Sequence, residues 1–398
     1  MKRKEIVFLS GARTPIGSYG KTLKDFTATE LGTVAAKGAL ARSGISPEDI
    51  DHVVFGNVMQ TSEDATYLAR HVGLNAGVPI ATPALTVNRL CASGFQAVIE
   101  GAYQLLLGES DFVLVGGSES MSRAPHAMYG ARWGFNLGEG KLVDTLAAGL
   151  TDARCGCGMG VTAENLARKY GVTREESDHY AFQSQQRTKE AVSSGRLAEE
   201  IVPVIVKGRK GKETPFQVDE HPRPDVTPEK LAGLAPVFHE DGIVTPGNSS
   251  GINDAAAALV MTTAEAAKKR GLSPMGRLLS WGVSGVEPEI MGIGPVPASK
   301  TALDRAGLTL DDMEVIEVNE AFAAQYLAVE KEMGLDRSIV NVNGGAVALG
   351  HPVGATGARL TLTLLMELSL TGAKLGLATA CVGGGQGVAL VLGAAESS

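Results

Sequence analysis

Arg42-Ser43-Gly44-Ile45-Ser46-Pro47-Glu48-Asp49-Ile50-Asp51 is answered in the second half of the chain by Arg305-Ala306-Gly307-Leu308-Thr309-Leu310-Asp311-Asp312-Met313-Glu314, and each stretch is followed by a strand-like run and an asparagine. The echo continues. Thr86-Val87-Asn88 leads into a small-residue turn, a helix pattern and a strand ending at Gly116-Gly117; Asn341-Val342-Asn343 does the same, with its strand ending Cys381-Val382-Gly383-Gly384. Such self-similarity points to duplication of one α/β unit. Short apolar runs alternating with helix patterns support it: Val53-Val54-Phe55, Phe112-Val113-Leu114-Val115 and Leu390-Val391-Leu392 read as strands. Two similar halves related by pseudo-symmetry would bring their corresponding turns close together.

From Ser118 to Val244 the composition shifts to Arg, Lys, Pro and Glu, with Lys207-Gly208-Arg209-Lys210-Gly211-Lys212 and Glu220-His221-Pro222-Arg223-Pro224. This reads as an inserted loop domain at 118–244, between an N-terminal half (1–117 and 245–270) and a C-terminal half (271–398). The basic run reads as a solvated turn in preference to a phosphate contact. With 398 residues, 44% hydrophobic and 20% charged, the chain can bury a large core in two or three packed units. A net charge of −8 argues against nucleic acid or anionic lipid as a partner, leaving room for a local basic pocket that takes a phosphorylated cofactor. No stretch reaches the roughly 18 consecutive apolar residues of a membrane span, and Met1-Lys2-Arg3-Lys4-Glu5 runs into Ile6-Val7-Phe8-Leu9 without a signal-peptide core. A cytoplasmic location is the expectation. Four cysteines, Cys91, Cys155, Cys157 and Cys381, are too scattered for a disulfide scaffold, and their spacing fits no zinc site.

Cys91, in Asn88-Arg89-Leu90-Cys91-Ala92-Ser93-Gly94-Phe95, falls where a strand-like segment gives way to a helix pattern running to Leu107. A thiol near a helix N-terminus has its pKa lowered by the positive end of the helix dipole, which favours the nucleophilic thiolate. The plain alternative is a small buried hydrophobe. His351 sits in the glycine-dense run Asn343-Gly344-Gly345-Ala346-Val347-Ala348-Leu349-Gly350-His351-Pro352-Val353-Gly354-Ala355-Thr356-Gly357. That density suggests backbone passing close to a ligand while an imidazole is presented to it, as base or hydrogen-bond donor. Cys381 ends a strand and precedes Val382-Gly383-Gly384-Gly385-Gln386-Gly387, which offers an acid/base beside free backbone N–H groups, or else core packing. Asn319, in Asn319-Glu320-Ala321-Phe322, follows the strand Val315-Ile316-Glu317-Val318 and sits at the carboxyl edge of a sheet. It could hold a water or carbonyl, or cap a helix.

Taken in order, the Cys-Ala-Ser-Gly turn at Cys91, Asn319-Glu320-Ala321-Phe322, Gly350-His351-Pro352-Val353-Gly354-Ala355-Thr356-Gly357 and Cys381-Val382-Gly383-Gly384-Gly385 resemble the thiolase family. The resemblance runs from Arg13-Thr14-Pro15 to the last of these motifs. Within the family, Lys24-Asp25-Phe26-Thr27-Ala28-Thr29, Tyr67-Leu68-Ala69-Arg70-His71-Val72-Gly73-Leu74 and Lys141-Leu142-Val143-Asp144 look like the 3-ketoacyl-CoA thiolases of the mitochondrial type. The resemblance implies a layered α-β-α-β-α fold and a ping-pong transfer of an acyl group between coenzyme A thioesters. Cys91 would carry the acyl group, His351 would activate it, and Cys381 would move the alpha proton of acetyl-CoA. One oxyanion hole would come from His351 with a water held by Asn319, and the other from backbone N–H groups of Cys91 and Gly383. Ser250 would meet the pantetheine and Arg223 the nucleotide phosphates, while Met159 and Phe322 would shape the pocket. Coenzyme A and acyl-CoA would be substrates, with no permanently bound cofactor and no metal, and the assembly would be a homodimer or homotetramer.

One departure stands out. Gly158-Met159-Gly160 replaces the His-Met-Gly common in short-chain biosynthetic thiolases, which opens the pocket wall to longer acyl chains and leaves Cys155 and Cys157 without a family role. Two other readings remain. A decarboxylating ketoacyl synthase shares the fold but uses two histidines, one of them where this chain has Cys381. An inactive acyl-CoA binding protein would have no need to keep Cys91, Asn319, His351 and Cys381 together.

Overall fold

The computed structural model describes residues 4–208 and 211–395; Met1 to Arg3, and Arg209 and Lys210 of the basic run, lie outside it. The duplicated stretches fold alike. Helix α1 (Ala28–Ser43) stops at Gly44, whose φ of 75° is a left-handed conformation glycine enters without cost. A single helical turn, Pro47–Asp49, follows before strand β2 (His52–Gly56). In the second half a helix over Pro295–Ala306 stops at Gly307 with φ 69°, and the turn Leu310–Asp312 precedes the strand Val315–Val318. Ser46 and Asp49 in one turn, and Thr309 and Asp312 in the other, cap each other's backbone reciprocally.

Strand β1 (Ile6–Arg13) pairs antiparallel with β5 (Asn253–Thr263), which pairs antiparallel with β4 (Phe112–Ser120); β4 runs parallel to β2, and β2 to β3 (Ala84–Val87). The second half repeats this order. β6 (Gly276–Gly285) pairs antiparallel with β9 (Gln386–Ala394), β9 with β8 (Leu375–Val382), and β8 runs parallel to β7 (Val315–Val318). A parallel bridge from Ile316 to Val340 stands where the fifth strand would be. Ile6, Val7 and Phe8 pair with Leu278, Arg277 and Gly276 and join the halves into one hydrogen-bonded sheet.

Alternation along the strands separates the layers, because successive side chains point to opposite faces. Val113 and Val115 of β4 and Leu390 and Leu392 of β9 face one central core with helices α2 (Ser93–Leu107) and α7 (Val353–Thr371). Phe112 and Leu114 face the opposite way, onto α1. Ala389 and Val391 likewise face outward onto helix α5 (Pro295–Ala306) and helix α6 (Ala323–Met333). The layers are therefore helix, sheet, paired helices, sheet, helix.

The two central helices meet at their N-termini through glycine. A Cβ on Gly94 would come within 2.4 Å of the Ala358 backbone nitrogen, and one on Gly357 within 2.2 Å of that of Phe95. Approach this close brings the turn before α2 and the turn before α7 together, and these turns carry Cys91 and His351.

Within 118–244, helix α3 (Met159–Tyr170) and helix α4 (Arg174–Ser193) pack on the second half through Leu166, Ala167 and Tyr180. Tyr180 stacks on Tyr326 at 4.1 Å between ring centroids, and its hydroxyl donates to Glu320 Oε1 at 2.7 Å. Ser184 Oγ donates to Glu320 Oε2 at 2.8 Å, so the segment is pinned beside Asn319. Lys207 ends a short strand, Val204–Lys207, that pairs with Glu213–Phe216.

Candidate active site

Cys91 lies in the single turn Leu90–Ala92 directly before α2. Leu90 has φ of 45°, one of two non-glycine residues with positive φ among the described residues, a strained conformation of the kind that gathers at functional sites. The turn is locked by its neighbours. Asn88 Oδ1 accepts from the Leu90 N–H at 2.9 Å, and Ser93 Oγ accepts from the Arg89 N–H at 2.9 Å while donating to the Leu90 carbonyl at 2.7 Å. Burial pushes the Cys91 thiol up and the Glu119 carboxylate adds to this, against the backbone N–H groups of Gly383 and of Cys91 itself, which favour the thiolate. The expected lowering by the helix end is thus outweighed by desolvation. The thiol needs a base at the moment of attack.

His351 is buried between the short helix Ala346–Leu349 and α7. Its backbone N–H donates to Asn253 Oδ1 at 3.0 Å. Nδ1 lies 2.7 Å from Thr356 Oγ1, and that hydroxyl donates to the Pro352 carbonyl at 3.0 Å. With the hydroxyl proton committed there, Nδ1 carries the ring proton and donates to Thr356, which leaves Nε2 as the free lone pair. Burial, reinforced by the Arg359 charge, pulls the His351 pKa down to about 3, so the ring is neutral at physiological pH. A neutral imidazole with an open Nε2 can accept a proton. Asn319 Nδ2 stands 3.4 Å from Nε2, and Asn319 Oδ1 is buried without a hydrogen-bond partner among the described residues.

Cys381 is fully buried near the end of β8, paired with Gly387, and clusters with Met291, Ala321, Met159 and Phe322. Burial first, and the neighbouring Cys91 second, push its thiol far up. Gly383 follows in the loop to β9, and a Cβ there would lie 3.4 Å from Met159 Sδ and 3.3 Å from Leu90.

A cavity of about 430 Å³ is lined by Cys91, His351, Met159, Ser250, Phe322 and others. Met291 and Ala321 line it too, so Cys381 lies directly behind its wall. The Ser250 N–H donates to the Ala321 carbonyl at 3.0 Å and fastens the two loops to each other. A second cavity of about 350 Å³ shares Cys91, Leu150, Thr151, Met159 and Val353 with the first and continues between Met59, Asp152, Ala153 and Gly384. Cys91 stands where the two meet.

Of the residues expected from sequence, Cys91, His351, Asn319, Cys381, Gly383, Met159, Phe322 and Ser250 gather here. Arg223 does not. It lines a separate depression of about 340 Å³ with Pro224, Asp225 and Lys230, and its backbone N–H donates to Gln185 at 2.8 Å. The glycines around His351 also have a different cause from the one expected. A Cβ on Gly350 would lie 2.3 Å from Asn253 Oδ1, and one on Gly354 2.7 Å from Glu119 Oε2, so it is protein packing that forbids side chains there.

Several contributors were not singled out in the sequence: Thr356 and Asn253, which orient His351, and Phe238, whose ring meets Phe322 edge-on at 6.3 Å. Glu119 is another. Buried, with its pKa raised by desolvation to about 8, it accepts from Asn57 Nδ2 at 3.0 Å and from the N–H groups of Val58, Met59 and Gly354 at 3.1, 3.1 and 2.9 Å. These bonds tie both cavity walls to β4. Only its position just after Gly116-Gly117, near the end of β4, could have flagged it.

Residues 6–265 match the family model described as "Thiolase, N-terminal domain", and residues 272–394 match "Thiolase, C-terminal domain". The chain belongs to the thiolase family. Human "3-ketoacyl-CoA thiolase, mitochondrial" is 52% identical over 388 residues, covering 97% of this chain and 98% of the relative. "Acetyl-CoA acetyltransferase" of Syntrophomonas wolfei is 47% identical over 394 residues, covering 98% and 99%. The crystal structure of human mitochondrial 3-ketoacyl-CoA thiolase superposes with a TM-score of 0.97 at 50% identity, covering 99% of this chain and 100% of that one. A further structure of the human enzyme, in complex with CoA, has a TM-score of 0.96 at 50% identity, covering 99% and 98%. This family member is accordingly an enzyme of acyl transfer between coenzyme A thioesters.

The expectation of a cytoplasmic location is overturned by the same relatives, since those of cattle, human and orangutan, each 52% identical, are named as mitochondrial. The residue pattern at the start of the sequence given does not tell one compartment from another.

Proposed function

We propose that Cys91 takes the acyl group of a 3-ketoacyl-CoA as a thioester and passes it to a second coenzyme A, with acetyl-CoA as the other product. His351 Nε2 removes the Cys91 proton, and Thr356 keeps that nitrogen free to do so. The observation that carries the reading is the convergence on one sulfur: Cys91 shares one cavity with His351 and the adjoining one with Gly383, and Cys381 packs directly behind the wall of the first. The N–H groups of Cys91 and Gly383 stabilise the oxyanion on the acyl carbon attached to Cys91. Asn319, with a water donating to its unpaired Oδ1, and the imidazole of His351 stabilise the enolate oxygen of acetyl-CoA. Cys381, protonated at rest, returns the alpha proton in cleavage and removes it in condensation.

Residues 118–244 form the unit along which coenzyme A lies, between halves bounded at 117, 245 and 270. Ser250 meets the pantetheine at the cavity, and Arg223, outside it, approaches the nucleotide phosphates at the cofactor's far end. The assembly is a homodimer or homotetramer.

Separating the half-reactions tests the roles. Cys381→Ala acylates Cys91 from acetyl-CoA and then fails to form acetoacetyl-CoA, because only the second step needs the alpha proton moved. Condensation by the variant at the wild-type rate would refute the assignment of Cys381.

A further inference from the structure

Two thiols that take no part in this machinery share one turn. Thr151 pairs with Gly158 and Asp152 with Cys157 in a minimal antiparallel hairpin. Its turn is folded back on itself: Arg154 N–H donates to Asp152 Oδ1 at 2.8 Å, Gly156 N–H donates to the Asp152 carbonyl at 2.8 Å, and Gly156 has φ of 70°. A Cβ on Gly156 would meet no atom within 4 Å, so the turn is open on its outer side. Cys157 Sγ consequently lies 3.6 Å from the Cys155 carbonyl oxygen, folded back over the residue that carries the other thiol. Both cysteines are free and half-buried.

We propose that Cys155 and Cys157 are a modification site, a dithiol that closes to an intramolecular disulfide by exchange with a low-molecular-weight disulfide such as glutathione disulfide. The Cys155 thiolate attacks one sulfur of the oxidant, forms a mixed disulfide and expels one glutathione thiolate. Cys157 then gives its proton to solvent and attacks the Cys155 sulfur, which expels the second glutathione. Two protein thiols are oxidised and one glutathione disulfide is reduced to two thiols. Cys157 is the resolving partner because its thiol is already turned onto the Cys155 carbonyl oxygen, 3.6 Å away, and so onto the residue it must attack. Residues separated by a single glycine close a small, strained ring, and strained disulfides are the readily reduced ones.

The turn is coupled to the active site through its two strands. Thr151, Asp152 and Ala153 line the second cavity, Thr151 and Met159 flank Cys91 in both, and the Met159 N–H donates to the Leu150 carbonyl at 3.0 Å. Closing the ring therefore reshapes the wall beside Cys91 while leaving Cys91 itself a thiol.

The test equilibrates the whole enzyme in mixtures of oxidised and reduced glutathione, quenches with acid, alkylates and maps the peptides. The expected result is loss of two hydrogens from the peptide holding Cys155 and Cys157, reversed by dithiothreitol, at ratios where Cys91 and Cys381 are still fully alkylated. KM for the acyl thioester then rises severalfold in the oxidised wild type and stays flat in Cys155→Ser. In Cys157→Ser a glutathione adduct accumulates on Cys155. Full alkylation of both cysteines across the series would overturn the proposal, as would oxidation appearing first at Cys91, or the same rise in KM in Cys155→Ser.

Discussion

Replacing Thr356 by Val removes one hydroxyl and should disable a histidine it never deprotonates. The Nδ1–H of His351 donates to Thr356 Oγ1 at 2.7 Å, and the hydroxyl passes its own proton to the Pro352 carbonyl at 3.0 Å. In the variant the reactive tautomer leaves a buried N–H unpaired, at a cost of about 1–3 kcal/mol. The other tautomer escapes that cost by placing the proton on Nε2, where the imidazole can no longer accept one from Cys91. Either way the reactive form is disfavoured by the same amount, which is about 5- to 150-fold in the rate of Cys91 acylation. Burst-phase kinetics with acetoacetyl-CoA read that step directly, and Thr356→Ser should recover most of the loss because it restores the hydroxyl. A folded Thr356→Val enzyme acylating within about twofold of wild type would refute the tautomer argument.

Gly94→Ala forces a Cβ against the Ala358 backbone nitrogen, 2.4 Å away, so the two central helices must separate. The expected cost is about 1–3 kcal/mol of stability, read from the urea midpoint, together with a fall in kcat larger than the stability change explains. Acid stability should carry the signature of His351. The unfolded chain protonates an imidazole at about 6.5, whereas the folded one stays neutral down to about pH 3. Its contribution is therefore complete above pH 6.5 and is lost as pH falls from there towards 3. A His351→Gln variant should show a shallower fall of the urea midpoint over that window, and no acid limb of activity in wild type between pH 5 and 7 should trace to this group.

Much of the architecture was legible because duplication repeats local signals. Gly44 and Gly307 end equivalent helices, Ser46 and Thr309 cap equivalent turns, and the strands that follow have the same neighbours. Cys91, His351, Asn319 and Cys381 were legible for a related reason: each stands where a strand or helix ends, and the sequence marks those ends with glycine or asparagine. Tertiary contacts were not. Thr356 is one more helical threonine until its hydroxyl is seen against Nδ1, and Glu119 is one more strand-end residue until it collects four donors, three from the loop after β2 and one from the first turn of α7. Position at a helix end also misled at Cys91, since the end that should lower the thiol pKa is outweighed by the burial that comes with a closed pocket.

The central claim is that one sulfur carries the acyl group. Wild-type enzyme incubated with isotopically labelled acetyl-CoA, without free coenzyme A, then quenched in acid and mapped by mass spectrometry, should hold the label on Cys91 alone and release it when coenzyme A is added before quenching. A label found on Cys381, Cys155 or Cys157, or one that persists in Cys91→Ala, would contradict it.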